Sequence, residues 1–434
     1  MKSNALILVP ASVIALLASC AVTLAGTQNP QTEPLVQKPD LVYQGSFALP
    51  QGTTNQTSFA YGGYGIAYDP ADNSLFLTGH SWYQYTSEIS IPTPVSSNSI
   101  NALPIASEIQ PLTNALQGTL NSIDPSVTGQ KDIGGYLVYN NRLVISAYVF
   151  YDASGTQTVS HFTRPISLSN TSGLSGPFRV GTQYPGFVSG YMTLIPQEWQ
   201  TLLGGPALTG NCCLNIVSVQ SNGPAVSVFN PNQLGTDNPV PATPLVGYPL
   251  SDALGAWGSQ SDLFNGTTQV TGVAFPNGTR SVLFFGRQGI GPFCYGPGTS
   301  NQSLAGTPSD ANGDNWCYDP TNSAKGGHAY PYVYQVWAYD ANDLLKVARG
   351  NEAQYDVKPY ATWSLSLPFT TPSTQIAILG AAYNPNTNQI YVSQSCIAPG
   401  CTPIIDVLKL SLPGTSATSP APTTPSSPAN VTVN

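Results

Sequence analysis

Side chains able to do acid–base or metal chemistry are scarce here, so each one stands out. The 434 residues hold three His (His80, His161 and His328), six Arg, five Glu and sixteen Asp. Arg287 ends the apolar run Ser281–Gly286. A cation carried on a buried strand needs a partner, either a ligand or an ion pair to a neighbouring element. Asp310, Asn312 and Asp314 place oxygen atoms on alternate residues, the spacing of a calcium loop, and Ca2+ is the one cofactor this motif suggests. The sixth position is Asn315 rather than Gly and the twelfth is Thr321 rather than Glu, so the loop is not an EF-hand. An Asx-rich turn without metal is the alternative. No Gly-x-Ser-x-Gly elbow, His-Glu-x-x-His pair or phosphate loop occurs. No catalytic set is assigned. The acids considered for glycoside cleavage are Asp132, Glu88 and Asp310.

The elements that must position these residues come from an internal repeat. Five times an apolar strand meets a turn and then a second apolar strand: 64–68 with 74–80, 135–139 with 142–148, 191–195 with 214–220, 272–275 with 280–287, and 379–383 with 389–395. Asp-Pro, Asn-Gly and Asn-Pro-Asn in the turns supply the backbone geometry of tight connections. A third strand follows each pair, at 87–91, 160–166, 225–229, 332–339 and 404–410, and outer segments lie at 177–180, 244–250 and 359–368. The segment 41–50 resembles 359–368 in its ending, so the chain opens on an outer strand and closes on a third strand. Residues 196–204 are expected to form one short helix.

This organisation resembles a β-propeller. The expected fold is all-β, with five four-stranded blades over 41–412 closed by the N-terminal outer strand; six blades, or a pair of β-sandwiches, are the alternatives. The resemblance is architectural, without a WD or kelch signature. It implies that ligands bind on the face carrying the connections between second and third strands. The rim positions there are His80, Tyr148, Gln220, Arg287 and Gln394, with Trp82 just beyond the first. The fourth such connection, from Gly289 to about Tyr330, is a long insert that also carries His328. Those seven residues are the expected ligand contacts. His161 and Arg164, inside a third strand, read as structural. Known five-bladed propellers include glycosidases that use acids around the central cavity.

The N-terminus reads as an export signal: Lys2, the apolar stretch 5–18, then Leu17-Ala18-Ser19-Cys20. This resembles a bacterial lipoprotein signal, with 1–19 removed, Cys20 lipidated and Ala21 favouring the outer membrane. Plain secretion after Ala25 is the alternative. Residues 20–40 are expected to be a tether and 413–434 a Pro/Ser/Thr-rich tail. The six remaining Cys suit disulfides in an oxidising compartment, with Cys396–Cys401 and Cys294–Cys317 as the expected pairs and the partners of Cys212 and Cys213 left open. A zinc site is disfavoured by the lack of Cys-x-x-Cys.

The net charge of −8 without a basic stripe argues against a nucleic-acid partner. Three readings remain. The first is an exported surface propeller that binds a glycan or a peptide, supported by 10% aromatic residues and many neutral amides and hydroxyls. The second is a secreted polysaccharide- or ester-cleaving enzyme. The third is a scaffolding lipoprotein with no small ligand, which requires a plugged channel.

Overall fold

The computed structural model describes residues 29–309, 313–372 and 374–412. The export signal, Cys20, the tail, Asp310 and Asn312 lie outside the described residues. Within them, strands such as Ser74–Thr78 and Ser281–Gly289 are buried at every position rather than at alternate ones. A continuous apolar run of this length marks a strand covered on both faces. Each sheet must therefore pack between two others.

That packing is a five-bladed β-propeller. Five four-stranded antiparallel sheets follow in chain order, and the fifth is completed by the first strand, Leu41–Ala48, paired with the last, Thr402–Leu410. The innermost strands are Ala67–Asp69, Lys131–Tyr139, Met192–Leu194, Gln269–Ala274 and Ile378–Asn384. Each packs against the next, and the fifth against the first, so the ring is closed. The expected blade number and closing strand hold, and six blades are excluded.

Alternation along each second strand divides its side chains between two blade interfaces. Leu75 and Leu77 join the core shared with blade five, while Phe76 joins the core shared with blade two. Val282 and Phe284 face blade three, whereas Leu283 and Phe285 face blade five. Polar pins cross the same interfaces. The Tyr136 hydroxyl lies 2.9 Å from Thr78 Oγ1 and 2.8 Å from Thr86 Oγ1. His161 Nε2 lies 3.0 Å from Thr209 Oγ1, and burial lowers the His161 pKa to about 3, so the ring is a neutral pin. Arg164 donates to five backbone carbonyls, those of Ala115, Pro165, Ser167, Leu168 and Asn170. Both residues are structural, as expected.

Blade three corrects the reading of the repeat. Its second strand is Ala207–Thr209, and 214–220 is an irregular loop. The true strand has three residues, too few for alternation to show, and it follows the helix Gln197–Leu203, which fills the hairpin connection. Gln220 therefore does not end a strand, and Thr209–Cys212 occupy the rim in its place. A second helix, Ala341–Ala348, was not expected. Its cap is Asp340, which accepts from the Asn342 amide at 2.9 Å. The described part of the segment read as a tether, 29–40, lies against the body: Val36 is fully buried and its amide donates to Ser281 Oγ at 2.9 Å.

The six described Cys form three disulfides: Cys212–Cys213, Cys294–Cys317 and Cys396–Cys401. Such bonds mark an oxidising compartment outside the cytosol. Among the described residues no helix is long and apolar enough to cross a membrane. The Cys294–Cys317 bond ties the insert of blade four, whose strands Cys294–Thr299, Cys317–Tyr318 and Lys325–His328 form a small separate sheet. A loop of 23 residues closed this way gains about 3 kcal/mol from the chain entropy removed in the unfolded state. In the double variant Cys294→Ser/Cys317→Ser, limited proteolysis should cut first within 295–330, while the propeller keeps a cooperative melting transition. Cuts elsewhere first, or no change in cutting, would show that the insert holds without its bond.

Candidate functional site

Strand direction defines two faces. The connections between second and third strands, and those leading into each inner strand, share one face. The hairpins joining first and second strands share the other. Both described ends of the chain, Asn29–Asp40 and Leu412, lie toward the hairpin face, because Leu41–Ala48 starts there and Thr402–Leu410 finishes there.

The opposite face opens into a central pocket of about 300 Å³ to which all five blades contribute. Its wall includes Tyr64, Asp132, Tyr148 and Arg287, of which Asp132 and Arg287 are the charged residues. The vicinal disulfide Cys212–Cys213, Leu214, Val270 and Ile378 supply apolar wall. Tyr64 and Asp132 stand at the mouths of inner strands. Tyr148 and Arg287 stand at the ends of second strands, where Tyr148 pairs in register with Asp132 and Arg287 with Gln269.

Asp132 lies in a cradle of amides. Gln84 Nε2 donates to it at 3.0 Å and Gln130 Nε2 at 2.9 Å, while Gln84 Oε1 accepts from the Ile133 amide at 2.7 Å. Burial raises the Asp132 pKa to about 6, with the Gln130 hydrogen bond opposing that rise. Among the described residues no cation pairs with it. The Tyr64 phenol is pushed up by burial and by Asp132 and drawn down by Arg287, so it feels both charges. Tyr148 is also pushed well up, by burial first and then by Asp132 and Tyr64. Both phenols stay protonated and available as donors.

Arg287 is 9% exposed. Its protein acceptors are the carbonyls of Thr267 and Ile376, each 3.4 Å away. Its guanidinium lies over the Tyr332 ring, 4.8 Å from the centroid, a cation–π contact. The Tyr332 hydroxyl donates to Asp319 Oδ2 at 2.8 Å, and His328 Nδ1 meets the same oxygen at 2.8 Å. Burial pushes the Asp319 carboxyl up, but hydrogen bonds from His328, Thr321 and Tyr332 outweigh it and hold the pKa down to about 2. The insert of blade four thus ends in a buried chain, His328 to Asp319 to Tyr332, that backs the guanidinium.

The expected contact residues separate into three groups. Tyr148 and Arg287 line the pocket. His80 and Trp82 stand on the rim: His80 stacks edge-on with Tyr61 and Tyr83, and Trp82, 88% exposed, lines a side cleft with Tyr83, Asn121 and Lys131. That cleft shares Ser81, Gln84 and Gln130 with the pocket, so the two are continuous. His328, Gln220 and Gln394 are buried away from the pocket. Gln394 Nε2 donates to the Tyr334 hydroxyl and to Pro368 O, both at 2.9 Å, which ties blade five to blade four. Asp314, the described member of the proposed calcium loop, is ion-paired to Lys325. Glu88 is buried among Ser74 and Gln110 in blade one, outside the pocket. Tyr64, Gln84, Gln130 and the Cys212–Cys213 bond were not anticipated. Tyr64 and Asp132 hold equivalent places at the starts of inner strands, which is the sequence signal that marks Tyr64.

No family model and no curated protein matches this sequence. Among solved structures, one from the GH130 family of mannoside phosphorylases shares 10% identity with a TM-score of 0.38, covering 87% of this chain and 96% of its own. The PQQ domain of a pyranose dehydrogenase from Coprinopsis cinerea shares 9% identity with a TM-score of 0.33, covering 83% and 98%. A glucose dehydrogenase shares 11% with a TM-score of 0.31, covering 83% and 99%. Likenesses of this size carry no argument about activity. The fold rests on the strand pairing described above.

Proposed function

We propose that this protein is an exported surface propeller, anchored through a lipid on Cys20, that binds a glycan in the central pocket. One observation carries the reading. Donors and acceptors from several blades converge on an open pocket at the face opposite both described chain ends. A scaffold without a ligand has no use for a buried Asp132 and a buried Arg287 that form no ion pair with each other or with any other described residue. A sugar ring offers hydroxyl edges to such groups and an apolar face to aromatic side chains such as Trp82 and Tyr83. An anchor at the N-terminal end leaves the pocket facing away from the membrane.

A thermal-shift screen of the exported protein against neutral and acidic oligosaccharides tests this. At least one glycan should raise Tm, because a ligand that prefers the native state stabilises it. The rise should shrink by more than half in Asp132→Asn and in Tyr148→Phe. A flat response to the whole panel overturns the reading and returns the scaffold. A second reading, a glycan-cleaving enzyme, is favoured by one observation: Asp132 titrates near 6, in the range useful to a general acid or base. Against it, Asp132 is the one carboxylate among the described residues that line the pocket, where glycoside hydrolysis commonly uses two. Release of reducing ends from the same panel, abolished by Asp132→Asn, would establish the enzyme.

A further inference from the structure

We propose that the glycan is acidic: the pocket receives the carboxylate of a uronic acid on Arg287, and the chain continues along the cleft past Trp82. The inference rests on the glycan-binding reading and narrows it.

Arg287 is a receptor without its anion. Nine-tenths of it is buried, yet among the described residues no carboxylate lies within ion-pair distance. The carboxylate whose charge it does feel, Asp319, is already committed. One oxygen of Asp319 accepts from His328 and Tyr332, and the other accepts from Thr321 N, Thr321 Oγ1 and Asn322 N. Asp319 therefore holds Tyr332 in place and has nothing left for the guanidinium. The two carbonyls at 3.4 Å are long for charged hydrogen bonds. A guanidinium stacked, backed and left short of acceptors at a pocket wall is arranged to take a planar anion in two-pronged fashion. A carboxylate fits that geometry.

The remaining wall fits the rest of a sugar acid. Tyr64 and Tyr148 offer hydroxyls, and Asp132 offers acceptor oxygen to ligand hydroxyls. Asp132 and Arg287 line the same pocket on different blades, so a carboxylate set beside Asp132 would be repelled and one set on Arg287 attracted. The orientation is thereby fixed. The cleft that continues from Ser81 and Gln84 is lined by the exposed Trp82, a stacking surface for the next residues of the chain.

The test uses oligogalacturonates, oligoglucuronates and oligomannuronates of three to six residues, each beside its carboxyl-reduced form, by isothermal titration calorimetry at two salt concentrations. At least one acidic oligomer should bind roughly 30-fold more tightly than its reduced counterpart, the scale of hydrogen bonds to a charged group. Arg287→Gln should bring the two forms to equal affinity, and Arg287→Lys should restore part of the difference. Trp82→Ala should weaken oligomers and leave the single uronic acid unchanged. Circular dichroism checks that the Arg287 variants fold; if one does not, the comparison of acidic with reduced forms on the unaltered protein still decides. Equal binding of both forms, or binding of neutral glycans alone, overturns the acidic assignment while leaving glycan binding in place. Binding of succinate as tight as that of the oligomers overturns the sugar part. No binding of any glycan overturns both readings together.

Discussion

Gly134→Ala should abolish folding of the exported protein, or lower its Tm by more than about 5 °C, whereas Gly326→Ala should change Tm by less than about 2 °C. The difference lies in what a methyl group meets. At Gly134 it would overlap the Ser189 carbonyl oxygen and lie 2.7 Å from the Gly190 Cα. Both are backbone atoms of blade three, so no side chain can swing aside. At Gly326 there is no heavy atom within 4 Å, and the residue lies in the peripheral insert. The same closeness recurs around the ring. A Cβ on Gly65 would meet the Gly135 Cα at 2.8 Å, one on Gly272 the Ala381 Cα at 3.1 Å, and one on Gly380 the Ile66 amide at 2.8 Å. At four of the five blade junctions the inner segments approach backbone to backbone, and glycine is the residue that permits it. Forced overlap of this kind belongs to the largest class of single-substitution effects, above about 4 kcal/mol. Soluble yield and melting curves of the two variants decide the matter. A Gly134→Ala protein that melts within 3 °C of the unaltered one would mean a looser junction than described here.

That packing also explains what was legible in the sequence. Blades buried on both faces give unbroken apolar runs such as Val282–Phe285 and Leu143–Ile145, and these survive reading without any tertiary information. The starting outer strand and the final third strand leave a mismatch that only a ring resolves. Blade three escaped because its second strand has three residues, while the loop 214–220 imitates a strand with apolar residues that are only partly buried. The outer strand Glu108–Thr113 escaped because Pro111 and its exposed positions break the pattern. For the pocket, Arg287 and Tyr148 follow from strand ends. The amide cradle of Asp132 does not, because Gln84 lies 48 residues from Asp132 in the chain and meets it only through the fold. His328 illustrates the reverse case. It is rare and sits in the long insert, yet its ring is spent on Asp319 and Ala324 O, and it reaches the pocket wall only through Tyr332 and Arg287.

Asp406→Asn should stabilise the protein at pH 8 and do nothing at pH 4, with the gain growing between those limits. Asp406 is fully buried in blade five. Ser46 Oγ donates to one of its oxygens at 2.5 Å, and the other oxygen has no partner. The titratable groups that feel it are Tyr43 and Tyr334, neutral phenols, and no cation offsets it among the described residues. Burial raises its pKa to about 7, with the Ser46 hydrogen bond opposing the rise. Below about pH 4 the carboxyl is protonated in both folded and unfolded chains and contributes no pH dependence. Between about 4 and 7 the folded chain keeps a proton that the unfolded chain releases, so stability falls as pH rises. Above 7 the loss is complete, on the order of 4 kcal/mol for a shift of this size. Asp132 acts with the same sign up to about pH 6. His161 acts against them: its pKa is lowered to about 3, so it is neutral when folded and protonated when unfolded below 6.5, and its share of stability rises with pH over that window. Asp319, held near 2, adds stability that is lost only in stronger acid. The slope of the unaltered protein is therefore a sum of opposing parts, and the difference between the Asp406→Asn and unaltered melting curves isolates one of them. An asparagine keeps an acceptor for Ser46 and removes the buried charge. The difference should be near zero at pH 4 and reach roughly 5 °C at pH 8 for a chain of this size. A difference that stays constant across pH 4 to 8 would mean that Asp406 titrates as an ordinary surface carboxylate. A negative difference at pH 8 would mean that the charged form has a partner inside the blade.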